Sequence, residues 1–483
     1  MISTKLFKSL FTISLVVLSF QASAATITVN STDDTIDNDG QCTLREAIEN
    51  ANNGSDTTNG DCIAGSITGN DIIYFAINGV INLKSELIVN SNIDFEGPGA
   101  DKLTISGQKS TRVFSIGNEG HVVVSFYGVT IAEGFAGNNS NGGGIYNVES
   151  SDITIINSIL SGNSARYGGA IFNSAGTVKI INSSILGDNL KSAEAGGGIY
   201  NGNLTYPGGS VTIEIINSTL SNNKVTDSGG AIYNIGKLTI SNSTLSGNQA
   251  DNKGGGIYNS TWSGNLTIKN STLSANTGWG IFIDDEDTSN NVFIANTIIA
   301  NNDGGDCHDN NSLTIKNTLI EDGSCNPTWI GDPKLGPLAN NGGPTLTHAL
   351  LSGSIAIDAG DNAICTAEPV NGLDQRGVSR FSSFTGSQCD IGAYEYQLPA
   401  TITVNSTADT IADDGWCTLR EAIENANNNN ATHVDCVAGR GDDVIYFAIN
   451  GVIKLKSELE SELIVNSRVV SRNLKCYFAK RRI

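Results

Sequence analysis

The chain has 483 residues, with 28 Lys and Arg against 49 Asp and Glu and a formal net charge of -21. Such a surface repels phosphate backbones, which excludes nucleic acid as a partner. Only 16% of residues are charged and 55 are glycine, so the exterior must be mostly Asn, Ser, Thr and Gly. With Ile, Leu and Val recurring at regular intervals, this is the composition of a repetitive all-β protein.

Lys5 and Lys8, the apolar run Leu10 to Phe20 and Ala22-Ser23-Ala24 read as the parts of a secretory leader over residues 1–24, with cleavage after Ala24. The apolar run is far shorter than the ~20 residues a spanning helix needs, and no later segment comes closer. The mature chain is therefore expected outside the cytoplasm, secreted or on the outer cell surface, with no transmembrane segment.

Residues 25–92 are expected to form a cap over the N-terminal end of a repetitive body. Leu44, Ala47, Ile48 and Ala51 define one apolar helix face, and Thr43 with Glu46 forms a T-x-x-E capping box. Arg45 and Glu46 are accordingly read as structural. Just upstream, Asp37-Asn38-Asp39-Gly40 has the short-spaced oxygens of a calcium loop, with Asp37 and Asp39 as candidate ligands. It lacks the distal glutamate of an EF-hand, and a turn leading into the helix explains it equally.

Residues 93–335 carry the repeat. Seven coils align on Asn157, Asn182, Asn217, Asn242, Asn270, Asn296 and Asn317, at spacings of 25, 35, 25, 28, 26 and 21 residues. An Ile, Leu or Val lies four before each, an Ile two before, and a Leu or Ile three after. Apolar residues two apart mark a half-buried strand, and a turn at the asparagine lets the residue three on point inward. Repetition at this period predicts a right-handed parallel β-helix, a solenoid with like side chains stacked in columns. The asparagines are expected to form a ladder, each side-chain amide bonding to its neighbour a coil away. Earlier coils are less regular: Val124, Phe126 and Ile131 keep the spacing with Gly128 in the asparagine position.

A second motif alternates with the first: Gly-Gly-Gly/Ala-Ile-Tyr/Phe-Asn at 142–147, 168–173, 196–201, 229–234 and 254–259. Its glycines permit a positive-φ turn, its isoleucines are expected in the core, and Tyr146, Phe172, Tyr200, Tyr233 and Tyr258 are expected to face outward as a stripe. The stripe is a candidate for stacking on sugar rings, against the alternative that the rings only stack on one another. Asp284-Asp285-Glu286-Asp287 comes after the last glycine motif. Asp284, Asp285 and Asp287 are candidate Ca2+ ligands, with an acidic turn as the other reading.

Nine cysteines fall as near neighbours: Cys42 with Cys62, Cys307 with Cys325, Cys365 with Cys389, and Cys417 with Cys436, leaving Cys476. They are read as four disulfides, which suits an oxidising compartment. Metal ligation is the weaker alternative, since no C-x-x-C occurs and only His308 adjoins a cysteine.

The Cys42-Thr43-Leu44-Arg45-Glu46-Ala47-Ile48 run resembles the CSLREA domain of bacterial secreted proteins, with Thr43 at the family's serine. The glycine motifs resemble the repeats of polymorphic outer membrane proteins. The segments Gly336 to Thr345, Asp374 to Gly377 and Cys389 to Glu395 make residues 336–397 similar to the choice-of-anchor Q domain. These resemblances imply a secreted or surface-exposed β-helix and carry no established chemistry.

From 398 to 467 the chain repeats its own N-terminal cap, with Cys417 to Ile423 matching Cys42 to Ile48. The pattern is lost after Ser467, and a basic tail, 468–483, matches nothing upstream. A lyase would want carboxylates holding Ca2+ beside an Arg or Lys base, and a hydrolase two facing carboxylates. The regular coils offer no convergent titratable cluster. The sequence thus points to a non-catalytic, adhesin-like or glycan-binding protein, with extracellular glycans or a host or neighbour cell surface as partner. The alternative is a lyase or hydrolase of extracellular polysaccharide.

Overall fold

The computed structural model describes residues 24–454, apart from 138, 189–193, 205–210, 261–263, 285–290, 310–312, 383–384, 399, 429–430, 440–442 and 450–452. The expected leader up to Ser23, the end of the second cap copy, the basic tail, Cys476, Asp285 and Asp287 lie outside the described residues.

The fold is an all-β, right-handed parallel β-helix. Three parallel sheets line its sides, one running from Thr26–Val29 to Leu313–Lys316, one from Gly79–Asn82 to Trp329–Ile330, and one from Leu87–Val89 to Cys307–His308. The register is uniform from coil to coil: Ile153, Val178, Ile213, Leu238, Leu266, Val292 and Leu313 stand opposite one another in the first sheet. Every inward position of the repeat is buried except Leu313 and Ile315, which are half-buried because theirs is the last strand of that sheet.

The seven repeat asparagines all adopt the left-handed backbone conformation, with φ between 45° and 51°, and Gly128 takes the same place at 61°. Asn tolerates that region better than other non-glycine residues, which explains the choice. The expected ladder, however, is mostly elsewhere. The left-handed turn carries Asn157, Asn182 and Asn217 to half-exposed positions, and among the described residues side-chain bonds along this column join Asn296 to Asn270 (3.1 Å) and Asn317 to Asn296 (3.2 Å).

Two continuous ladders run through buried corners instead. Asn147, Asn173, Asn201, Asn234 and Asn259, the last residues of the glycine motifs, are fully buried and joined amide to amide at 2.7–3.1 Å. In the second column Asn223 donates to Asn248, Asn248 to Asn276 and Asn276 to Asn302, each at 2.9 Å. Both columns satisfy corner peptide groups that the sheets leave unpaired, for which a carboxamide, with donor and acceptor together, is suited. The glycine pairs serve the same stacking. The first glycine of each has φ of 62–73°, and a Cβ on Gly230 would lie 2.3 Å from the Gly255 carbonyl oxygen.

The helix Leu44–Asn53 forms with its capping box complete, but the strands Asp71–Phe75, Gly79–Asn82 and Leu87–Val89 already belong to the three sheets, so the coils begin inside the 25–92 segment expected as cap. Arg45 grips Asp34 through two bonds of 2.8 and 2.9 Å and reaches the Ser85 and Glu86 carbonyls, so the motif arginine ties the cap to the first coil. Buried Glu46 accepts from the N–H groups of Thr43 and Asp37. The second copy rebuilds the unit, with the helix Leu419–Asn428, Thr401–Val404 paired to Val444–Phe447, and a core of its own. All four expected disulfides are present, with Cα separations of 4.8–6.7 Å.

Residues 336–396 do not extend the solenoid. They lie along its side, over the turn between the first and second sheets. Gln375 bonds Thr219 and Thr244, Arg380 bonds Asn242, the Ala393 N–H donates to Thr272, and Asn296 meets the Asp361 backbone.

Candidate functional site

The outer faces of the sheets decide which side chains a ligand could reach. On the third sheet the aromatic column forms as expected: Tyr146, Phe172, Tyr200, Tyr233, Tyr258 and Phe282 succeed one another with ring centroids 4.6–5.9 Å apart, and His308 closes the stack on Phe282 at 4.1 Å. It is not an open stripe. Phe172, Tyr200 and Tyr258 are buried, and Tyr146 and Tyr233 half-buried. Tyr167, Ala195 and Ile235 pack over the middle of the column, and Arg112 sits 4.9 Å over the Tyr146 ring. The residues on either side of the glycine motifs therefore pack against the rings and cover the middle of the column. Burial also pushes the Tyr200 and Tyr258 hydroxyls far above the usual phenol range.

Asp284 belongs to this covered column. Its carboxylate accepts from the Tyr258 hydroxyl and pairs with Lys253 at 3.8 Å, while Lys253 lies 4.8 Å over Phe282. A similar group gathers at Glu194, which takes the Tyr167 hydroxyl at 2.7 Å and Arg166 at 2.9 Å. Both are charge-neutralised clusters that clamp rings in place. Asp37 and Asp39 are exposed; Asp39 accepts from the Gln41 N–H at 2.8 Å, and the N–H groups of Asp39 and Gly40 donate to Asp61. Among the described residues, no three His, Cys, Asp or Glu side chains gather to hold a metal ion.

An accessible pair of aromatic side chains stands on the first sheet. Tyr74, Glu96, Tyr127, Ile156, Ile181 and Ile216 occupy one outward register row. Tyr74 is 48% and Tyr127 47% exposed, whereas Ile216 is only 9% exposed, where residues 336–396 begin to cover the row. Beside it runs a polar row, Asp94, Ser125, Thr154, Lys179 and Glu214, with Ser125 donating to Asp94 at 2.5 Å. The half-exposed Asn157 and Asn182 border the apolar row on its other side. Sequence reasoning passed over these tyrosines because they lie in the irregular early coils, outside the glycine motif; the Y at the fourth place of Asp71-Ile72-Ile73-Tyr74-Phe75 was the available signal, by alternation.

Residues 199–334 match the family described as a right-handed β-helix region. Together with the three parallel sheets, this makes the chain a parallel β-helix repeat protein. Two solved structures align with it, a point variant of the PL6 family alginate lyase AlyGC and AlyGC itself. Each is 14% identical, with TM-scores of 0.23 and 0.19. The alignments cover 78% of this chain and 61% of theirs, so the chain spans less than two thirds of their length. No curated protein matches the chain. Among the described residues, no helix is long and apolar enough to cross a membrane, and the four disulfides fit an oxidising compartment.

Proposed function

We propose that the protein is a secreted or cell-surface, adhesin-like β-helix that binds extracellular glycans without turning them over. Its cap and lateral region would place it among CSLREA-domain and choice-of-anchor Q proteins, on the Cys42–Ile48 run and the motifs within 336–397. The observation that supports binding is the exposed Tyr74 and Tyr127 pair. The two share a row, two strand spacings or roughly 10 Å apart, with the exposed Glu96 between them and Asp94 and Ser125 in the row beside. Phenol faces present apolar area to the C–H faces of sugar rings, while the flanking oxygens of Glu96, Asp94 and Ser125 take the hydroxyls.

The test is retention of the purified chain on an array of extracellular polysaccharides, alongside an assay for new reducing ends or unsaturated products with and without Ca2+. Binding that falls in a Tyr74→Ala/Tyr127→Ala double variant, with no turnover, is the expected result. Clear turnover would overturn the non-catalytic reading.

A further inference from the structure

The cap meets the first coils at a cleft of about 350 Å³, walled by the end of the cap helix, the loop around Ser66–Gly69 and the turns at Asn90–Asn92 and His121. We propose that this cleft is a subsite for a neutral sugar residue. The proposal rests on the glycan-binding reading and gives it a location.

The wall is held in place by the protein's own bonds. Asn52 at the helix end donates to the Ile88 carbonyl at 2.8 Å and accepts from the Asn90 N–H at 2.8 Å and the Ser91 hydroxyl at 3.2 Å. Asn90 accepts from the Asn118 N–H at 3.1 Å and Asn92 from the Val123 N–H at 2.8 Å, each through its Oδ1. Those backbone donors fix the orientation of both amides. Each Nδ2 is left with two N–H groups and no protein partner among the described residues. Ser66 and Thr68 add hydroxyls, and Ile67, 86% exposed, adds an apolar flank. Donors, hydroxyls and one apolar surface are what a pyranose ring needs, and the size falls at the lower end of small-molecule sites.

Charge narrows the ligand class. Among the described residues, the cleft is lined by no Lys, Arg, Asp or Glu, and its titratable group, His121, already faces Asp152 at 3.4 Å. The cap helix turns its C-terminal end, the negative end of its dipole, to the cleft. Both features disfavour an anionic sugar, in a chain already at -21. The second cap copy offers a comparison in sequence. It replaces Ser66-Ile67-Thr68-Gly69-Asn70 by Arg440-Gly441-Asp442 and puts Arg468 at the place of Asn92, so this lining belongs to the first copy alone.

The experiment titrates the full secreted chain with cellohexaose, xylohexaose, mannohexaose and maltohexaose, and with trigalacturonate as the charged comparison. Three proteins are compared: the parent, Thr68→Trp, which fills the cleft from an exposed position, and the Tyr74→Ala/Tyr127→Ala variant. The expected result is saturable binding of at least one neutral hexasaccharide, weakened about tenfold or more by Thr68→Trp with thermal unfolding unchanged. Binding lost in the tyrosine variant but kept in Thr68→Trp overturns the cleft and leaves the glycan reading standing. Preference for trigalacturonate also overturns the cleft. A parent that holds none of these sugars overturns both.

Discussion

Asp188 stands in a column of asparagines, where its Oδ1 accepts from both the backbone N–H of Asn163, at 2.6 Å, and its side-chain amide, at 3.1 Å. Its other oxygen, Oδ2, has no donor. In the next coil the matching atom is the Nδ2 of Asn223, which donates to the Ile185 carbonyl and to Asn248. By register, then, Oδ2 faces acceptors, and full burial raises the Asp188 carboxyl well above the usual range. Asp188 completes the ladder only as the neutral acid.

The Asp188→Asn variant is expected to be more stable than the parent by about 1–3 kcal/mol, because it supplies the missing donors. The sign with pH comes from the raised value. The folded state holds a proton that the unfolded chain gives up near its ordinary pKa, so this contribution is whole below that pKa and is lost as pH rises through the folded one. The gain in melting temperature should therefore be larger at about pH 8 than at about pH 4. Equal gains at both would show that Asp188 is not buried as the acid.

The asparagine ladder of the glycine motifs should be sensitive to any change that removes the amide. Asn201 takes the Asn173 amide at 3.1 Å and donates to Asn234 at 2.8 Å. Asn201→Leu would take the donor from the Asn234 Oδ1 and the Lys237 carbonyl, while the Asn173 amide keeps the Gly176 and Thr212 carbonyls, at a cost of about 1–3 kcal/mol for each stranded group. Chemical denaturation should show the loss. A midpoint within error of the parent would mean that water replaces the ladder.

The lateral region should come off the solenoid at alkaline pH. Arg380 is fully buried and bonds Glu395 at 3.0 Å, Asn242 at 3.0 Å and the carbonyls of Leu373 and Gly392. Among the described residues, Asp374, Asp390 and Glu395 pair with Arg376 and Arg380, and Asp358 adds a further negative charge beside Asp390, so the carboxyls outnumber the cations. Burial pushes the Asp390 and Glu395 carboxyls, which act on one another, well above the usual carboxylate range. Both are raised in the folded state, so docking is strongest at low pH and weakens as pH climbs through those raised values. Hydrogen exchange should rise across 336–396 while the coils stay protected. Arg380→Met, which strands buried carboxylates, is expected to cost about 3–5 kcal/mol and to open the same region at neutral pH.

The two tyrosine rows should part company on substitution. Tyr200, buried and stacked 5.0 Å from Phe172 and 4.9 Å from Tyr233, is expected to cost about 3–5 kcal/mol as Ala. Tyr127, 47% exposed, is expected to change melting by less than about 0.5 kcal/mol and to register in glycan binding. A stability loss at Tyr127 equal to that at Tyr200 would make the exposed row structural.

Much of this molecule was legible because its contacts repeat. A residue such as Ile215 meets Ile180 and Ile240, each the same member of the next coil, so one aligned repeat reveals the core, the handed turn at Asn217 and the stacking of Tyr200. Two kinds of feature escaped. Which asparagine forms a ladder depends on whether the turn sends its side chain in or out, and Asn182 and Asn201 look alike until the backbone is known. The docking of residues 336–396 joins positions as far apart as Ser218 and Gln375, and nothing periodic links them. The covering of the predicted stripe comes from the position just before each glycine motif, which pairs in register but changes from Asn141 to Tyr167, Ala195, Ser228 and Lys253, so the repeat does not announce it.

The lateral region also bears on how the molecule would answer a pull. Its bonds reach Thr219, Asn242, Thr244, Thr272, Asn296 and Asn317, side chains on five successive coils. Tension entering from the second cap passes through that seam before it reaches the strands. It would load five rungs together, in shear, where a chain leaving the last coil directly would be peeled off one rung at a time.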